Sequence, residues 1–246
     1  MRDPGFDRVT DTAADVQARL AGVRTTIAEA ARRAGRDPRT VAIVAVTKTF
    51  PPGVVAHALA AGLGDVGENY VQEAKAKRDQ VSGGTWHLIG GLQRNKVRAA
   101  VATFDRLHTV DGVALATAVD AAARDAGRRM PVLVQVNVAE DSAKRGADAD
   151  AAADLCRAVL RLPALALDGL MTIGPLVDDP EAARPGFRRL HELRDEIARR
   201  LGVELPHLSM GMSDDFAVAV EEGATLVRLG RVLFGARRAG AWREGG

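Results

Sequence analysis

Cysteine, aromatic residues and net charge are all scarce in this sequence. The single cysteine, Cys156, excludes an internal disulfide bond and any metal site built from several cysteines. Aromatic residues make up 4% of the chain and are not interleaved with blocks of Lys and Arg, so no nucleic-acid partner is indicated. The 34 basic residues nearly balance the 32 acidic ones, which gives a formal net charge of +2.

Long hydrophobic runs are missing as well. No stretch approaches the ~18 apolar residues that predict a transmembrane helix, so no membrane partner is expected. Residues 1–7 lack the apolar core of a signal peptide, which favours a cytoplasmic location. With 47% hydrophobic residues, the chain of 246 residues can fill one large α/β domain or two small ones.

Short apolar runs and helical patterns alternate along the chain. A long amphipathic helix is predicted over 11–35. The predicted strands that follow are 41–48, 65–67, 85–89, 106–109, 131–138, 165–171, 207–209 and 225–229. The predicted helices between and after them are 53–61, 70–81, 92–103, 111–126, 147–160, 181–201, 213–222 and 231–236.

Eight strand-and-helix units without a linker predict a single (β/α)8 TIM barrel, in the α/β class, with an extra N-terminal helix. The barrel would occupy about 40–237 of a single domain that spans 1–246. An open doubly wound sheet is the alternative, but no G-x-G-x-x-G motif follows the first strand to support it. A barrel places functional residues just after its strands.

The first apolar run, V-A-I-V-A-V-T-K, ends in Lys48. Its β-branched residues indicate a strand buried on both faces, and the following T-F-P-P-G indicates a loop. Burial disfavours the ammonium form of a lysine, and a neutral amine attacks aldehydes. The alternative is a strand-end lysine that extends into water.

The loops after the last two strands carry the pattern of a phosphate site. Ser209 and Ser213 supply hydroxyls just before a predicted helix, and Gly230 lets the backbone approach closely from the other side. The alternative is that Ser213 only caps its helix. A lysine after the first strand and a phosphate site after the last two match the two ends of pyridoxal phosphate.

Arg228 lies in the last strand, between these two features in the barrel order. Its guanidinium could face the pyridine nitrogen, where it would leave the ring a weak electron sink. On spacing alone, an ion pair with Glu221 or Glu222 explains it equally well.

Six motifs occur in order between residues 44 and 237. They are V-A-V-T-K, G-E-N-Y-V-Q-E, W-H-L-I-G-x-L-Q-x-N-K, L-x-G-L-M-T-I, L-S-M-G-M-S-D-D and V-R-L-G-x-x-L-F-G-A-R. Together they closely resemble the pyridoxal phosphate homeostasis protein family (the YggS/PROSC family). That family is similar in fold to the N-terminal barrel of bacterial alanine racemase.

The resemblance implies pyridoxal 5′-phosphate as the cofactor and assigns its contacts. Lys48 would carry it as a Schiff base, Asn69 would line its pocket, Arg228 would face the pyridine nitrogen, and Ser209, Gly230 and the backbone at Arg231 would hold the phosphate. The resemblance does not fix a role for His87 or for 90–96.

Three departures from the family pattern stand out. Arg231 takes the place of a small hydroxyl residue beside the phosphate, and Gly91 takes the place of a frequent proline. Residues 139–146 only loosely follow the family's Ser-Lys-x-Gly loop, which leaves the role of Lys144 open.

Racemisation normally needs an acid/base group on each face of the cofactor. In the racemases that this barrel resembles, a tyrosine from a second domain serves one face. This chain ends shortly after Phe234, so we expect that domain to be missing, and its only tyrosine, Tyr70, is expected to start a helix.

The leading hypothesis is therefore a cofactor-binding protein, a monomer or weak dimer. It would buffer pyridoxal phosphate or deliver it to apoenzymes that use it, without robust catalysis. The alternatives are a low-efficiency amino acid racemase and a phosphate-binding barrel enzyme that uses no pyridoxal phosphate.

Overall fold

Eight parallel strands close into a barrel in the computed structural model, which describes residues 12–138, 146–174 and 179–235. The strands are β1 (Ala42–Val46), β2 (Asp65–Glu68), β3 (Thr85–Leu88), β4 (Arg106–Val110), β5 (Met130–Asn137), β6 (Ala147–Asp148), β7 (Leu165–Met171), β8 (His207–Ser209) and β9 (Leu226–Leu229). The ring runs β1-β2-β3-β4-β5-β7-β8-β9 and closes by pairing of β9 with β1. The predicted TIM barrel is confirmed.

Helices follow the strands and surround the barrel. They are α1 (Ala13–Arg33), α2 (Pro52–Ala60), α3 (Val71–Arg78), α4 (Val97–Thr103), α5 (Val113–Asp125), α6 (Ala149–Leu160), α7 (Arg184–Leu201), α8 (Phe216–Glu221) and α9 (Arg231–Phe234). Short 3-10 turns at Arg94–Lys96 and Pro180–Ala183 lead into α4 and α7. Among the described residues, no helix is both long and apolar enough to span a membrane.

The helix predicted over 147–160 starts later than expected. Ala147 and Asp148 instead form β6, a two-residue strand that pairs with Val136 and Asn137 of β5 outside the ring. The backbone of β5 extends beyond the barrel and offers unpaired groups there, which the incoming chain satisfies before it turns into α6.

The N-terminal helix α1 packs on the outside of the barrel, against α2, α8 and α9. A capping box between Thr12 and Asp15 fixes its start, and the buried side chains Val16, Leu20 and Val23 form its inner stripe. The long amphipathic pattern therefore serves this chain's own core.

Apolar side chains fall into two groups of unequal size. The larger one fills the layer between the strands and the helices. Cys156 of α6 belongs to it as a buried thiol, and burial raises its pKa to about 12, as expected of an inert cysteine. The smaller group lies inside the ring and consists of Val44, Val46, Ile89, Leu133, Met171 and Leu226. Polar residues fill much of the remaining interior.

Candidate functional site at the C-terminal mouth of the barrel

Lys48 lies at the C-terminal mouth, two residues after β1 ends at Val46. The side chain is half-buried, so it belongs neither to the closed core nor to the outer surface. The next residue, Thr49, has a positive φ of 68°, which is uncommon for a β-branched residue. The chain therefore turns sharply where the candidate amine is placed.

Asn69 lies at the mouth beside Lys48, one residue after the neighbouring strand β2. It is half-buried, and its backbone is packed tightly against Gly90, which follows β3. A β-carbon at Gly90 would collide with the main chain of Asn69, so only glycine fits this contact. The G-G stretch after β3 thus holds Asn69 at the mouth.

A continuous chain of hydrogen bonds crosses the barrel interior. The contacts are Asp65 Oδ1 to His87 Nε2 (2.9 Å), His87 Nδ1 to His108 Nε2 (2.9 Å), His108 Nδ1 to Ser209 Oγ (2.9 Å) and Ser209 Oγ to Arg228 (2.7 Å). Strands β4 and β8 are not neighbours in the ring, so the bond from His108 to Ser209 passes through the interior. We call these five residues the interior chain.

The ends of the interior chain determine where its protons lie. Arg228 can only donate, and an ionised Asp65 can only accept. His87 Nε2–H therefore donates to Asp65, and His87 Nδ1 accepts from His108 Nε2–H. His108 Nδ1 in turn accepts from the hydroxyl of Ser209. Each imidazole then donates at Nε2 and accepts at Nδ1, and burial lowers the pKa of His108 well below its usual value.

Arg228 ends the interior chain on the mouth side. It is 5% exposed, and its second terminal nitrogen donates to the carbonyl oxygen of Thr172 at 2.8 Å. Burial lowers its pKa to about 10, so the guanidinium stays charged at neutral pH. An ion pair of Arg228 with Glu221 or Glu222 is wrong, because the arginines that contact those carboxylates are Arg33, Arg184 and Arg188.

Ser209 is fully buried, and its hydroxyl is engaged on both sides in the interior chain. A phosphate contact by this side chain stays a prediction. The contacts of Ser209 define a different role. Its hydroxyl accepts a hydrogen bond from Arg228 and donates one to His108, and it thereby orients the guanidinium group of Arg228.

The loops after β8 and β9 lie side by side at the mouth. Ser213 Oγ accepts a hydrogen bond from the backbone N–H of Val232 (3.4 Å), and Arg231, an exposed residue, pairs with Asp214. Gly230 packs closely on β1, since a β-carbon there would lie 3.3 Å from the carbonyl oxygen of Val46. The two candidate phosphate loops are therefore joined directly.

Ser213 does not cap a helix, so that prediction is wrong. The helix α8 starts at Phe216, three residues later than predicted, with Asp215 as the preceding residue. Asp215 Oδ1 accepts the backbone N–H of Met212 at 2.6 Å, and this bond shapes the turn. Ser213 is left half-buried at the mouth with its hydroxyl proton directed away from Val232.

The sequence interpretation missed two sets of residues. One is the pair of histidines in the interior chain, of which His87 was noted without a role. The other lies on the outer face of the wall behind Lys48, where Lys77 contacts two buried carboxylates. The sequence does indicate that the two histidines and Glu68 need partners, because imidazole and charged side chains within short buried strands demand them, but it does not name the partners. The loop 139–145, with Lys144, lies outside the described residues.

Known proteins resemble this chain along most of its length. The family model described as "Alanine racemase, N-terminal domain" matches residues 19–238. The pyridoxal phosphate homeostasis protein of Aquifex aeolicus (strain VF5) is 42% identical over 89% of this chain and 97% of the relative. The protein of the same name from Pseudomonas aeruginosa is 44% identical over 90% and 96%.

Solved structures agree with these relatives. PipY of Synechococcus elongatus PCC7942, in a structure with PLP bound, is 36% identical, with a TM-score of 0.80 over 89% of this chain and 100% of that chain. An alanine racemase of Clostridium difficile 630 is 13% identical, with a TM-score of 0.73 over 94% of this chain and 59% of that one, which shows a shared fold. By fold and by sequence, the chain belongs to the alanine racemase N-terminal domain family and, within it, to the pyridoxal phosphate homeostasis proteins.

Proposed function

We propose that this protein binds pyridoxal 5′-phosphate at the C-terminal mouth of its barrel and holds it for homeostasis, releasing it to apoenzymes that need it. The observation that carries the proposal is the pairing of β1 with β9, which brings a lysine and an arginine to one opening. Val44 is aligned with Arg228 in that pair, and Lys48 follows Val44 by four residues. Lys48 therefore lies at the outer edge of the opening, beyond the strand ends, and Arg228 lies deeper, inside the barrel.

The residues at the rim fit the aldehyde end of this cofactor. When bound, pyridoxal phosphate supplies an aldehyde carbon that joins a primary amine with loss of one water molecule. Lys48 contributes the amine, and Asn69 lies beside it on the next strand, where it can line the pocket. Both side chains are half-buried, so the opening is accessible to a small molecule.

Arg228 fits the nitrogen end of the ring. Its guanidinium is held by Ser209 and by the carbonyl of Thr172, so its position does not depend on the ligand. A guanidinium donates hydrogen bonds but keeps its protons at neutral pH. It can therefore face the ring nitrogen without protonating it, which keeps the ring a weak electron sink and favours holding over turnover.

The loops after β8 and β9 fit the phosphate. Ser213 brings a hydroxyl, and Gly230 and the backbone of Arg231 bring main chain with no bulky side chain toward the opening. The guanidinium of Arg231 is engaged by Asp214 on the rim, so it adds a cation near the site without entering it. Ser213 thus supplies a hydroxyl on this side of the opening, where position 231 offers none.

Holding is favoured over catalysis because a second acid/base group is not evident among the described residues of the mouth. Tyr70 precedes α3 and is 49% exposed, as expected of a residue that starts a helix. The relatives from Aquifex aeolicus and Pseudomonas aeruginosa are named as homeostasis proteins. A low-efficiency racemase remains the alternative, with Lys48 as the base on one face.

The test is a visible absorption spectrum with added pyridoxal phosphate, followed by borohydride reduction and peptide mass mapping. We expect a new absorption band and a pyridoxyl group on Lys48, and a Lys48→Ala variant that is folded but lacks both. No band, or adducts scattered over surface lysines, would overturn the proposal. Net racemisation of an amino acid by the parent protein, lost in Lys48→Ala, would favour the racemase instead.

A further inference from the structure

Three charged side chains are buried together on the outer face of the barrel wall, behind Lys48. Lys77 Nζ lies 2.6 Å from Glu68 Oε1 and 2.7 Å from Glu73 Oε1. Their side chains are only 4%, 0% and 2% exposed. We call these three residues the Lys77 cluster. Glu68 and Glu73 both belong to the G-E-N-Y-V-Q-E motif, and the proposed function uses only the asparagine of that motif.

The Lys77 cluster binds the main chain on both sides of Lys48. On one side, Lys77 Nζ donates to the carbonyl oxygen of Thr47 at 2.7 Å, which is the oxygen of the peptide unit preceding Lys48. On the other side, the backbone N–H of Thr49, in the peptide unit following Lys48, donates to Glu73 Oε1. Two consecutive peptide planes fix the φ and ψ of the residue between them. The cluster therefore holds the backbone of Lys48 from outside the barrel.

Side-chain contacts reinforce this arrangement. The hydroxyl of Thr47 donates to Glu68 Oε1 at 2.6 Å, so Glu68 contacts both the lysine of the cluster and the strand end that carries Lys48. The carbonyl of Thr47 also accepts the backbone N–H of Phe50 at 3.0 Å, which closes the turn. The carbonyl and hydroxyl groups of Thr47 and the N–H group of Thr49 thus all have partners within the turn or the cluster.

The turn needs such support because it is strained. Thr49 has a φ of 68°, and a β-branched residue in this region is held there by its surroundings rather than by its own preference. Its N–H bond to Glu73 is the contact that opposes relaxation. Relaxation of Thr49 would rotate the peptide unit that follows Lys48 and turn the lysine side chain away from its present direction.

Stability alone does not account for three buried charges at this place. A buried ion cluster is often no more stabilising than apolar side chains of the same volume, because desolvation of each charge offsets the attraction. Apolar neighbours are plentiful here, since Val71 and Ala74 of the same helix are buried in the outer core. What apolar side chains cannot do is bind a carbonyl oxygen and an N–H group at once.

We propose that Lys77, Glu68 and Glu73 are positioning residues that fix the main chain around Lys48 and so direct its amine toward the aldehyde of the bound cofactor. This inference rests on the proposed function, because it assumes that Lys48 is the reacting amine. It also predicts that Lys77, the other lysine close to this strand end, does not react, because its ammonium group is enclosed by two carboxylates and a carbonyl.

A matched control separates positioning from ordinary structural support. Asp120 of α5 is, like Glu73, a buried carboxylate that accepts a backbone N–H, from Ala164 at 2.8 Å, and pairs with a basic residue, Arg124. It contacts neither Lys48 nor the turn that follows. The experiment compares Glu73→Ala and Glu73→Gln with Asp120→Ala and Asp120→Asn.

Two measurements are made on each variant. The first is hydrogen exchange of the Thr49 amide in protein without cofactor. The second is the dissociation constant for pyridoxal phosphate, with the share of borohydride-trapped pyridoxyl group on Lys48. We expect Glu73→Ala to speed exchange at Thr49 and weaken cofactor binding about tenfold, the effect of one lost charge-assisted hydrogen bond. Glu73→Gln, which keeps an acceptor oxygen, should restore most of the amide protection at Thr49 and most of the cofactor affinity. The Asp120 variants should change neither the exchange at Thr49 nor the cofactor affinity.

The outcomes distinguish the two proposals. Equal cofactor binding in the parent and Glu73→Ala, with the adduct on Lys48 in both, overturns the positioning role and leaves the proposed function intact. An equal loss of binding in Glu73→Ala and Asp120→Ala also overturns it, because the effect is then general destabilisation. Absence of a Lys48 adduct in the parent protein overturns the proposed function and the inference with it.

Discussion

The two faces of the barrel wall carry buried polar groups of different construction. On the inner face, the interior chain passes from strand to strand, and each member gives one hydrogen bond to the next. On the outer face, the Lys77 cluster gathers two carboxylates around one amine. Strand β2 contributes to both, with Asp65 inside the ring and Glu68 outside it.

The two arrangements differ because the interior chain holds a side chain, whereas the Lys77 cluster holds a main-chain turn. An imidazole that donates at one ring nitrogen and accepts at the other links two partners, so two of them in a row span the interior. The interior chain therefore orients a side chain, the guanidinium of Arg228. A main-chain turn offers a carbonyl and an N–H group, which require a donor and an acceptor together. An ammonium group paired with carboxylates supplies both, and the Lys77 cluster orients the backbone of Lys48.

Removal of the central cation should have the largest effect. Lys77→Met leaves two carboxylates buried without a cation, and we expect a loss of about 3–5 kcal/mol in the free energy of unfolding, measured by urea denaturation. The triple variant Lys77→Met, Glu68→Gln, Glu73→Gln should recover more than half of that loss, because no charge then remains buried. A loss below ~1 kcal/mol in the single variant would mean that the charges of the Lys77 cluster contribute little to the stability of the fold.

Interruption of the interior chain should cost less, since no full charge loses its only partner. His108→Leu removes the hydrogen-bond partner of His87 on one side and of Ser209 on the other, so we expect a loss of about 2–3 kcal/mol in urea denaturation. The matched control is His191→Leu on α7, a partly exposed histidine that loses one hydrogen bond, to the carbonyl oxygen of Glu222 (2.9 Å), and whose loss should stay at about 1 kcal/mol. Equal losses in the two variants would contradict a continuous interior chain.

The charge on Glu68 should produce the smallest effect, which depends on pH. Burial, the largest cause, raises the pKa of Glu68 from 4.5 to about 7. Between these values the folded protein keeps a proton that the unfolded chain releases, so the stability supplied by this group is complete below pH 4.5 and lost as the pH rises through 7.

Relative to Glu68→Gln, the parent protein should therefore lose about 1–2 kcal/mol of stability between about pH 6 and pH 8, measured by urea denaturation across that range. The substitution isolates this group from the surface carboxylates whose pKa values are lowered, such as Glu221. A difference between the two proteins that is constant with pH would show that Glu68 stays ionised in the fold.

One contact of the Lys77 cluster can be predicted from the sequence. Glu73 and Lys77 are four residues apart on one helix face, a spacing that brings opposite charges together. Glu68 is nine residues from Lys77, and the carbonyl of Thr47 is thirty away, so these contacts require β1, β2 and α3 to be assembled first. The sequence indicates a helix with charged residues, and the structure shows that two of them are buried because α3 packs on β1 and β2.

The partners within the interior chain could not be predicted from the sequence. His108 and Ser209 are 101 residues apart, and no local pattern relates them. Ser209 was assigned to phosphate because it precedes a loop with a second serine and a glycine, a pattern that says nothing about which hydroxyl faces inward. Ser213, which was interpreted as a helix cap, is the one placed beside the loop after β9.

The sequence by itself determined the barrel, the family, the position of Lys48 and Asn69 just after their strands and that of Arg228 within the last strand. Hydrophobic periodicity and the order of motifs are properties of neighbouring residues and can be recognised without a structure. Only the tertiary structure decided which polar groups are partners. Closure of the ring places residues of opposite strands face to face, and burial then obliges each buried donor and acceptor to find a partner among whatever the fold has brought near. The interior chain is a consequence of that closure, and the Lys77 cluster is a consequence of the packing of α3 on β1 and β2.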